Sequence, residues 1–140
     1  MRILGIDVGR RRIGLAISDV SGTLARPLTT LEVTAENAID RVVAEVARLA
    51  ADDEGLASIV VGLPRHLDGT PSDETSHVRA FIAGLAARTA VPIVTGDERL
   101  TSREAEDRLA IRERDWRKRK ALLDAAAAAI ILQDHLDRQQ

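Results

Sequence analysis

Residues 2–33 read RILGIDVGRRRIGLAISDVSGTLARPLTTLEV, and this stretch decides the fold. Its three short apolar runs are residues 2–8, 13–18 and 24–33. Turns that contain Gly9 and Gly22 separate the runs, and strands joined by tight turns pair antiparallel, so a three-stranded meander is predicted. Pro27 has no N–H to donate to a neighbouring strand, which predicts that the third strand lies at the edge of the sheet.

The rest of the chain alternates helical and extended patterns. The predicted elements are a helix from Thr34 to about Ala51, a strand at 57–63, a helix around 78–85, a strand at 91–95, and helices from Thr101 and over about 120–136. A helix that connects two strands indicates a parallel crossover. We therefore expect an α/β fold with a five-stranded mixed sheet, in which three antiparallel strands adjoin two parallel ones.

The composition is that of one globular domain. A chain of 140 residues, 45% hydrophobic and 30% charged, predicts a single domain over residues 1–140. The sequence has no apolar run long enough to cross a membrane, and its first residues enter a strand pattern without the apolar segment of a secretory signal. We therefore expect a cytoplasmic protein without a membrane partner. The absence of cysteine excludes disulfides and cysteine-based zinc sites.

Basic side chains cluster although the net charge is -2. Arg10, Arg11 and Arg12 form one cluster, and a second lies between residues 112 and 120. With only one Phe and one Trp, the chain is not expected to stack bases on aromatic rings, so nucleic acid would be held by its phosphates. A solvated turn is the alternative for the first cluster. The candidate phosphate ligands are Arg10, Arg11, Arg12, Arg99, Arg117, Lys118 and Lys120.

Acidic residues occur in three places where solvation is not expected. Asp7 lies within an apolar strand that the pattern makes central, and burial of a lone carboxylate is costly. Asp124 lies in an alanine-rich helix, and small side chains would let this helix approach the sheet and bring Asp124 near Asp7. Asp97 and Glu98 follow the last strand, at the edge where sites collect in parallel sheets. Adjacent strand residues point to opposite faces, so one of these two would serve chemistry.

Each of these acids also has a structural alternative. Asp7 could cap the turn that follows it, and Asp124 could pair with Lys120. Either Asp97 or Glu98 could be a loop carboxylate. Carboxylates from separate elements suit Mg²⁺ or Mn²⁺, and two such ions can stabilise the attacking and leaving oxygens in phosphodiester hydrolysis. The histidines show no metal-binding spacing. Metal-assisted phosphoryl chemistry is therefore the leading hypothesis.

Motifs along the whole chain resemble those of the YqgF family. They are Asp7-Val8-Gly9, Ile13-Gly14-Leu15-Ala16 with Ser18-Asp19, Val61-Gly62-Leu63-Pro64 with Asp68-Gly69, Asp97-Glu98-Arg99-Leu100-Thr101-Ser102, and Asp124 with Ala126, Ala127 and Ile130-Ile131-Leu132. They span residues 1–136 in the order that the family shows. This family belongs to the RNase H-like superfamily, and its members are described as pre-16S rRNA nucleases or Holliday junction resolvases.

The resemblance implies an RNase H-like fold and a nuclease that acts in 5′-end maturation of pre-16S rRNA. It also implies that Asp7, Glu98 and Asp124 are the catalytic acids and that they bind Mg²⁺ or Mn²⁺. The sequence departs from the family pattern at two positions. Arg10 replaces a small hydroxyl residue, and Thr95-Gly96 replaces bulky apolar residues.

Three other functions stay open at this point. A Holliday junction resolvase would cut branched DNA with the same acids, and it would act as a homodimer rather than a monomer because a symmetric junction needs two active sites. A non-catalytic ribosome-assembly factor would bind rRNA, or precursor ribosomal particles, through the basic clusters. The turn after Asp7 with Ile13-Gly14-Leu15-Ala16 also resembles the phosphate loop of actin-like ATPases, which use two related domains.

Overall fold

The computed structural model describes residues 1–64, 70, 72–97 and 116–139, in which three consecutive strands are followed by alternating helices and strands. In chain order the elements are β1 (Arg2–Val8), β2 (Arg12–Ser18), β3 (Ala25–Glu32), α1 (Ala38–Ala51), β4 (Leu56–Leu63), α2 (Asp73–Ala86), β5 (Ile93–Asp97) and α3 (Trp116–Arg138). The helix predicted from Thr101 lies outside the described residues. None of the described helices is long and apolar enough to cross a membrane.

The five strands form one mixed sheet in the order β3-β2-β1-β4-β5. β1 pairs antiparallel with β2, and β2 pairs antiparallel with β3. β1 runs parallel to β4, and β4 runs parallel to β5. The predicted mixed sheet is therefore confirmed, with β1 in its centre. The edge position predicted from Pro27 is also confirmed, and the ladder shifts register between Leu15 and Ala16, opposite this proline.

The start of α1 differs from the prediction. The helix begins at Ala38 rather than directly after Thr34. Thr34 and Asn37 exchange hydrogen bonds, because the Thr34 N–H donates to Asn37 Oδ1 at 2.7 Å and the Asn37 N–H donates to Thr34 Oγ1 at 3.2 Å. The threonine hydroxyl thus closes a separate turn before the helix, as short polar side chains often do.

The sheet is covered differently on its two faces. On one face α1 and α2 pack against large aliphatic side chains, since alternate residues of each strand point the same way. This first core includes Leu4, Ile6, Ile13, Leu15, Ile59, Val61, Val42, Leu49, Phe81 and Leu85. The other face carries α3 and a smaller core that contains Ala16, Val60, Ala128, Ile131, Leu132 and Leu136.

Candidate functional site

Asp7 lies near the carboxyl end of the central strand, on the face that α3 covers. Gly5, two residues earlier, marks this face because a Cβ built there would lie 2.8 Å from the Cβ of Leu132 in α3. Residues two apart in a strand share a face, so Asp7 points to the same side. Its side chain is partly buried. The carboxylate therefore stands at the junction between the sheet and the last helix.

Gly14 brings α3 to this point. It is the register partner of Asp7 across the β1–β2 ladder. A Cβ on Gly14 would collide with the carbonyl oxygen of Asp124, so the helix backbone rests directly on the strand. A glycine inside a strand is typical of such close backbone approach. Asp7 and Asp124 consequently flank Gly14 on one face of the sheet.

The position of Asp7 and Asp124 on one face agrees with the expected approach of the alanine-rich helix to the sheet. The approach also depends on Gly14, whose role in this contact was not predicted from the sequence. The alanines of α3 supply one half of the contact, and the glycine of β2 supplies the other. The signal was present in the sequence as a glycine within the apolar run of residues 13–18.

Asp124 forms an ion pair with Arg12. Its Oδ2 atom is excluded from solvent and lies 3.0 Å from Nε of Arg12, the first residue of β2. The two side chains are 27% and 34% exposed, respectively. Arg12 was predicted as a phosphate ligand, and its pairing with Asp124 was not foreseen. Lys120, the predicted structural partner of Asp124, has a side chain outside the described residues.

The β1–β2 turn holds the other two arginines of the first basic cluster. The turn closes with a hydrogen bond from the Gly9 N–H to the Arg12 carbonyl at 2.9 Å. Arg10 pairs with Glu74 of α2, with Nη2 at 3.0 Å from Oε1. Arg11 is exposed, and the three arginines line an open cavity of about 670 Å³ together with residues 32–35. The arginines therefore differ in surroundings, although they are consecutive in sequence.

The start of α2 is tied to the end of β4. The Thr75 hydroxyl accepts the Ser72 N–H at 2.8 Å and donates to the Pro64 carbonyl at 2.5 Å. This connection fixes the first turn of α2, and with it Glu74, beside the β1–β2 turn. The Arg10–Glu74 pair thus links two elements that border the site.

β1, β4 and β5 are parallel, so their carboxyl ends lie at the same end of the sheet. Asp7 lies near this end. Asp97 is the last residue of β5 and is the register partner of Leu63. Gly96 lies under α3, since a Cβ there would be 3.3 Å from Cγ2 of Ile131. Gly96 belongs to the Thr95-Gly96 pair at which the sequence departs from the family pattern, and its small size leaves room for α3.

Several predicted site residues fall outside what the structure describes. Glu98 and Arg99 lie outside the described residues, and nothing is described of the side chains of Arg117, Lys118 and Lys120. The structure thus places Asp7, Asp124 and Arg12 on one face of the sheet, where Arg12 and Asp124 form an ion pair. Among the described side chains, no group of three acids or histidines could hold a metal ion. Two carboxylates on one face are nevertheless the hard oxygen donors that Mg²⁺ and Mn²⁺ prefer, so the donor chemistry fits such an ion.

Asp19, which belongs to one of the motifs, organises the turn at the other end of β2. Its carboxylate accepts the Ser21 hydroxyl at 2.5 Å and the N–H groups of Thr23 at 2.8 Å and Leu24 at 3.1 Å. The hydrogen bond from Ser21, followed by those from Leu24 and Thr23, lowers the pKa of Asp19 to about 2. This acid stabilises a turn far from Asp7.

α3 is also held at that distant turn. The Ala25 N–H donates to Gln133 Oε1 at 2.9 Å, and Gln133 Nε2 donates to the Thr23 carbonyl at 3.0 Å. Together with the Arg12–Asp124 ion pair, these bonds connect α3 to β2 and β3 at two separate positions. The helix position that places Asp124 is therefore determined by polar contacts at two places as well as by packing.

Comparisons with known proteins find a family and relatives that match almost the whole chain. The model of the family described as "RuvX: Holliday junction resolvase" matches residues 1–138. A relative from Chloroflexus aggregans is 43% identical over 138 residues, covering 99% of this chain and 94% of its own. One from Anaeromyxobacter sp. (strain K) is 44% identical over 139 residues, covering 99% and 98%. Both are named "Putative pre-16S rRNA nuclease".

Two solved structures share the fold. The T. thermophilus RuvC structure in complex with a Holliday junction substrate has a TM-score of 0.57 and 17% identity, and covers 99% of this chain and 95% of its own. The fowlpox virus resolvase with Holliday junction DNA has a TM-score of 0.61 and 15% identity, and covers 99% of both chains. The predicted RNase H-like fold is thus confirmed. The chain belongs to the RuvX family, also called YqgF.

Proposed function

We propose that this protein is a divalent-metal-dependent nuclease that hydrolyses phosphodiester bonds during 5′-end maturation of pre-16S rRNA. The observation that carries the proposal is the placement of Asp7 and Asp124 on one sheet face, on either side of Gly14. The names of the relatives support a nuclease and favour an rRNA precursor. Such a substrate would place the protein in the cytoplasm, with precursor ribosomal particles as a partner.

The acids would form the catalytic centre. Asp7 and Asp124, together with Glu98, would hold Mg²⁺ or Mn²⁺. The chemistry supplied by such bound ions is Lewis-acid stabilisation of the attacking and leaving oxygens of the phosphodiester. Asp7 contributes a carboxylate on the central strand, and Asp124 contributes one on a helix that rests on the adjacent strand. Of the adjacent acids Asp97 and Glu98, Asp97 is proposed to have a structural role.

The basic residues would bind the phosphates on both sides of the scissile bond. Arg11 is exposed beside an open cavity near the site, so it could bind a backbone phosphate. Such a contact does not depend on the identity of the base. Arg10 and Arg12 are held by Glu74 and Asp124, so they would have to exchange a carboxylate for a phosphate. The remaining proposed phosphate ligands are Arg99, Arg117, Lys118 and Lys120. All of these residues are proposed to belong to one domain over residues 1–140.

Cleavage of branched DNA is the second candidate, because the family model that matches residues 1–138 is described as a Holliday junction resolvase. A resolvase needs two active sites on a symmetric junction, so it would require a homodimer. An rRNA nuclease could act as a monomer. A strict monomer under assay conditions would therefore count against the resolvase.

The decisive experiment compares cleavage of end-labelled pre-16S-like RNA and a four-way DNA junction in Mn²⁺, Mg²⁺ or EDTA. We expect RNA cleavage that requires the metal and falls by at least about 100-fold in Asp7→Asn, because asparagine keeps the shape of the ligand but loses its charge. Asp19→Asn is the matched control, since it makes the same change at the opposite end of β2. It should cleave as the wild type does.

Three results would contradict the proposal. Wild-type cleavage by a folded Asp7→Asn variant would exclude Asp7 as a catalytic acid. Symmetric cutting of the junction, without cutting of RNA, would favour the resolvase. Tight RNA binding that is indifferent both to the metal and to Asp7→Asn, without cleavage, would favour a non-catalytic assembly factor.

A further inference from the structure

We propose that Arg12 is a positioning residue that holds the Asp124 carboxylate when no cation is bound and competes with the cation for it. The inference rests on the metal site of the proposed function and assigns a specific role to a neighbouring side chain. It starts from the 3.0 Å separation between Arg12 Nε and Asp124 Oδ2.

Packing against β2 holds the backbone of Asp124, so only its side chain can change conformation. The Asp124 carbonyl lies against Gly14, so its backbone is held against β2. Arg12 precedes Gly14 by two residues and therefore extends on the same face of the strand. Its guanidinium contacts an oxygen that is excluded from solvent. Arg12 thus holds the carboxylate at this oxygen.

The charges give this contact a second consequence. Asp7 and Asp124 carry like charges on one face, and the positive charge of Arg12 offsets their repulsion. A divalent cation at the same carboxylates would be repelled by Arg12 and would contend for the same oxygen. A positioning role alone predicts that removal of Arg12 weakens cation binding. Competition predicts that removal strengthens it, so the sign of the change tests the inference.

Arg10 offers a matched control within the same turn. It also forms an ion pair, but its partner is Glu74 of α2, and the two side chains are 61% and 49% exposed. Neutralising Arg10 removes one positive charge from the neighbourhood without changing the partner of Asp124. A general electrostatic effect would appear in both variants, whereas competition for Asp124 would appear in the Arg12 variant alone.

The experiment is a titration of the protein with Mn²⁺ at low ionic strength, in which the EPR signal of free Mn²⁺ reports binding. We expect Arg12→Gln to bind Mn²⁺ about two- to fivefold more tightly than the wild type, as suits a partly exposed pair. Arg12→Lys should resemble the wild type, and Arg10→Gln should be unchanged. The difference should shrink in high salt because salt screens partly exposed charges. Equal or weaker Mn²⁺ binding by Arg12→Gln would overturn the inference.

A measurement in EDTA distinguishes failure of this inference from failure of the metal site. A double-mutant cycle of Arg12→Gln and Asp124→Asn, followed by urea unfolding, measures the coupling of the pair without metal. We expect the unfolding constant of the double variant to differ by about two- to fivefold from the product of the two single effects. Coupling in EDTA with no Mn²⁺ binding by the wild type would overturn both the metal site and the competition. Coupling with Mn²⁺ affinity unaffected by Arg12→Gln would overturn the competition alone.

Discussion

The two faces of the sheet are built by different packing. The face under α1 and α2 is filled by large branched side chains, and its residues Leu4, Ile6 and Ile13 are fully buried. The face under α3 carries Gly5, Gly14 and Ala16 from the strands, with alanines from the helix. Large side chains keep a helix at a distance, whereas small ones allow its backbone to touch the strand.

This difference separates stability from chemistry within one sheet. The first face buries apolar area, which is the main source of folding free energy. The second places the two carboxylates and Arg12 on one face, because small residues allow α3 to approach the strands. Neighbouring residues of β2 point to opposite faces, so single substitutions one position apart should damage different properties.

The largest loss of stability is expected from Leu15→Ala. Leu15 is fully buried under α1 and α2, and its truncation should lower the free energy of unfolding by about 2–5 kcal/mol, since it leaves a cavity. Cleavage per folded molecule should persist. Urea unfolding and cleavage assays measure the two effects. Leu24→Ala, at a residue 65% exposed, is the control and should cost little.

Gly14→Ala, one position away, should reverse this pattern. The added methyl group would collide with the Asp124 carbonyl, so we expect a loss of about 1–3 kcal/mol in unfolding free energy and a loss of cleavage in the folded protein. Gly22→Ala is the control, because Gly22 has a φ of 71° but open space around it. It should cost about 1 kcal/mol and leave cleavage intact. Full cleavage by Gly14→Ala would refute the importance of this contact.

A smaller effect is expected on nucleic-acid affinity. Arg11→Gln should reduce the slope of log K against log salt by about one for pre-16S-like RNA, since one phosphate contact is lost. Arg10→Gln should change the slope less, because Glu74 already pairs with Arg10. Filter binding at several salt concentrations measures both slopes. Equal changes would show that the carboxylate partner does not withhold Arg10 from RNA.

The smallest effect concerns pH and the turn distant from the site. The pKa of Asp19 is lowered to about 2, so its ionised form stabilises the fold above its ordinary pKa. This contribution is lost as the pH falls through about 2. Asp19→Asn should therefore lower the Tm slightly at pH 7, and the difference from the wild type should vanish near pH 2. Thermal unfolding at several pH values measures this difference in Tm. A difference that stays constant from pH 7 to about pH 2 would contradict the lowered pKa of Asp19.

The architecture was predictable from the sequence because it depends on local patterns. Alternation and turn residues defined the meander, and the missing N–H of Pro27 placed β3 at the edge. The start of α1 was not predicted correctly, because the hydrogen bonds between Thr34 and Asn37 compete with capping of the helix. Such a competition depends on side-chain geometry that residue type alone does not determine.

The site was predictable in part, because local sequence patterns also identify acids in apolar elements. Asp7 and Asp124 were conspicuous as acids in apolar surroundings, and the structure places them on one face. The pairing of Arg12 with Asp124 was not predictable, because the two residues are far apart in sequence and no periodicity relates them. The roles of Asp7, Glu98 and Asp124 stay predictions for the cleavage assay to test.

The contact between Gly14 and Asp124 also has a consequence for the order of events during synthesis. β1 to β5 precede α3 in the chain, and the described residues of the first core all precede it as well. Asp124 arrives with the last described helix, so Asp7 and Asp124 share one face of the sheet only after α3 has been made. A protein proposed to cut the RNA of new ribosomes thus cannot place these two acids together until the ribosome has translated α3.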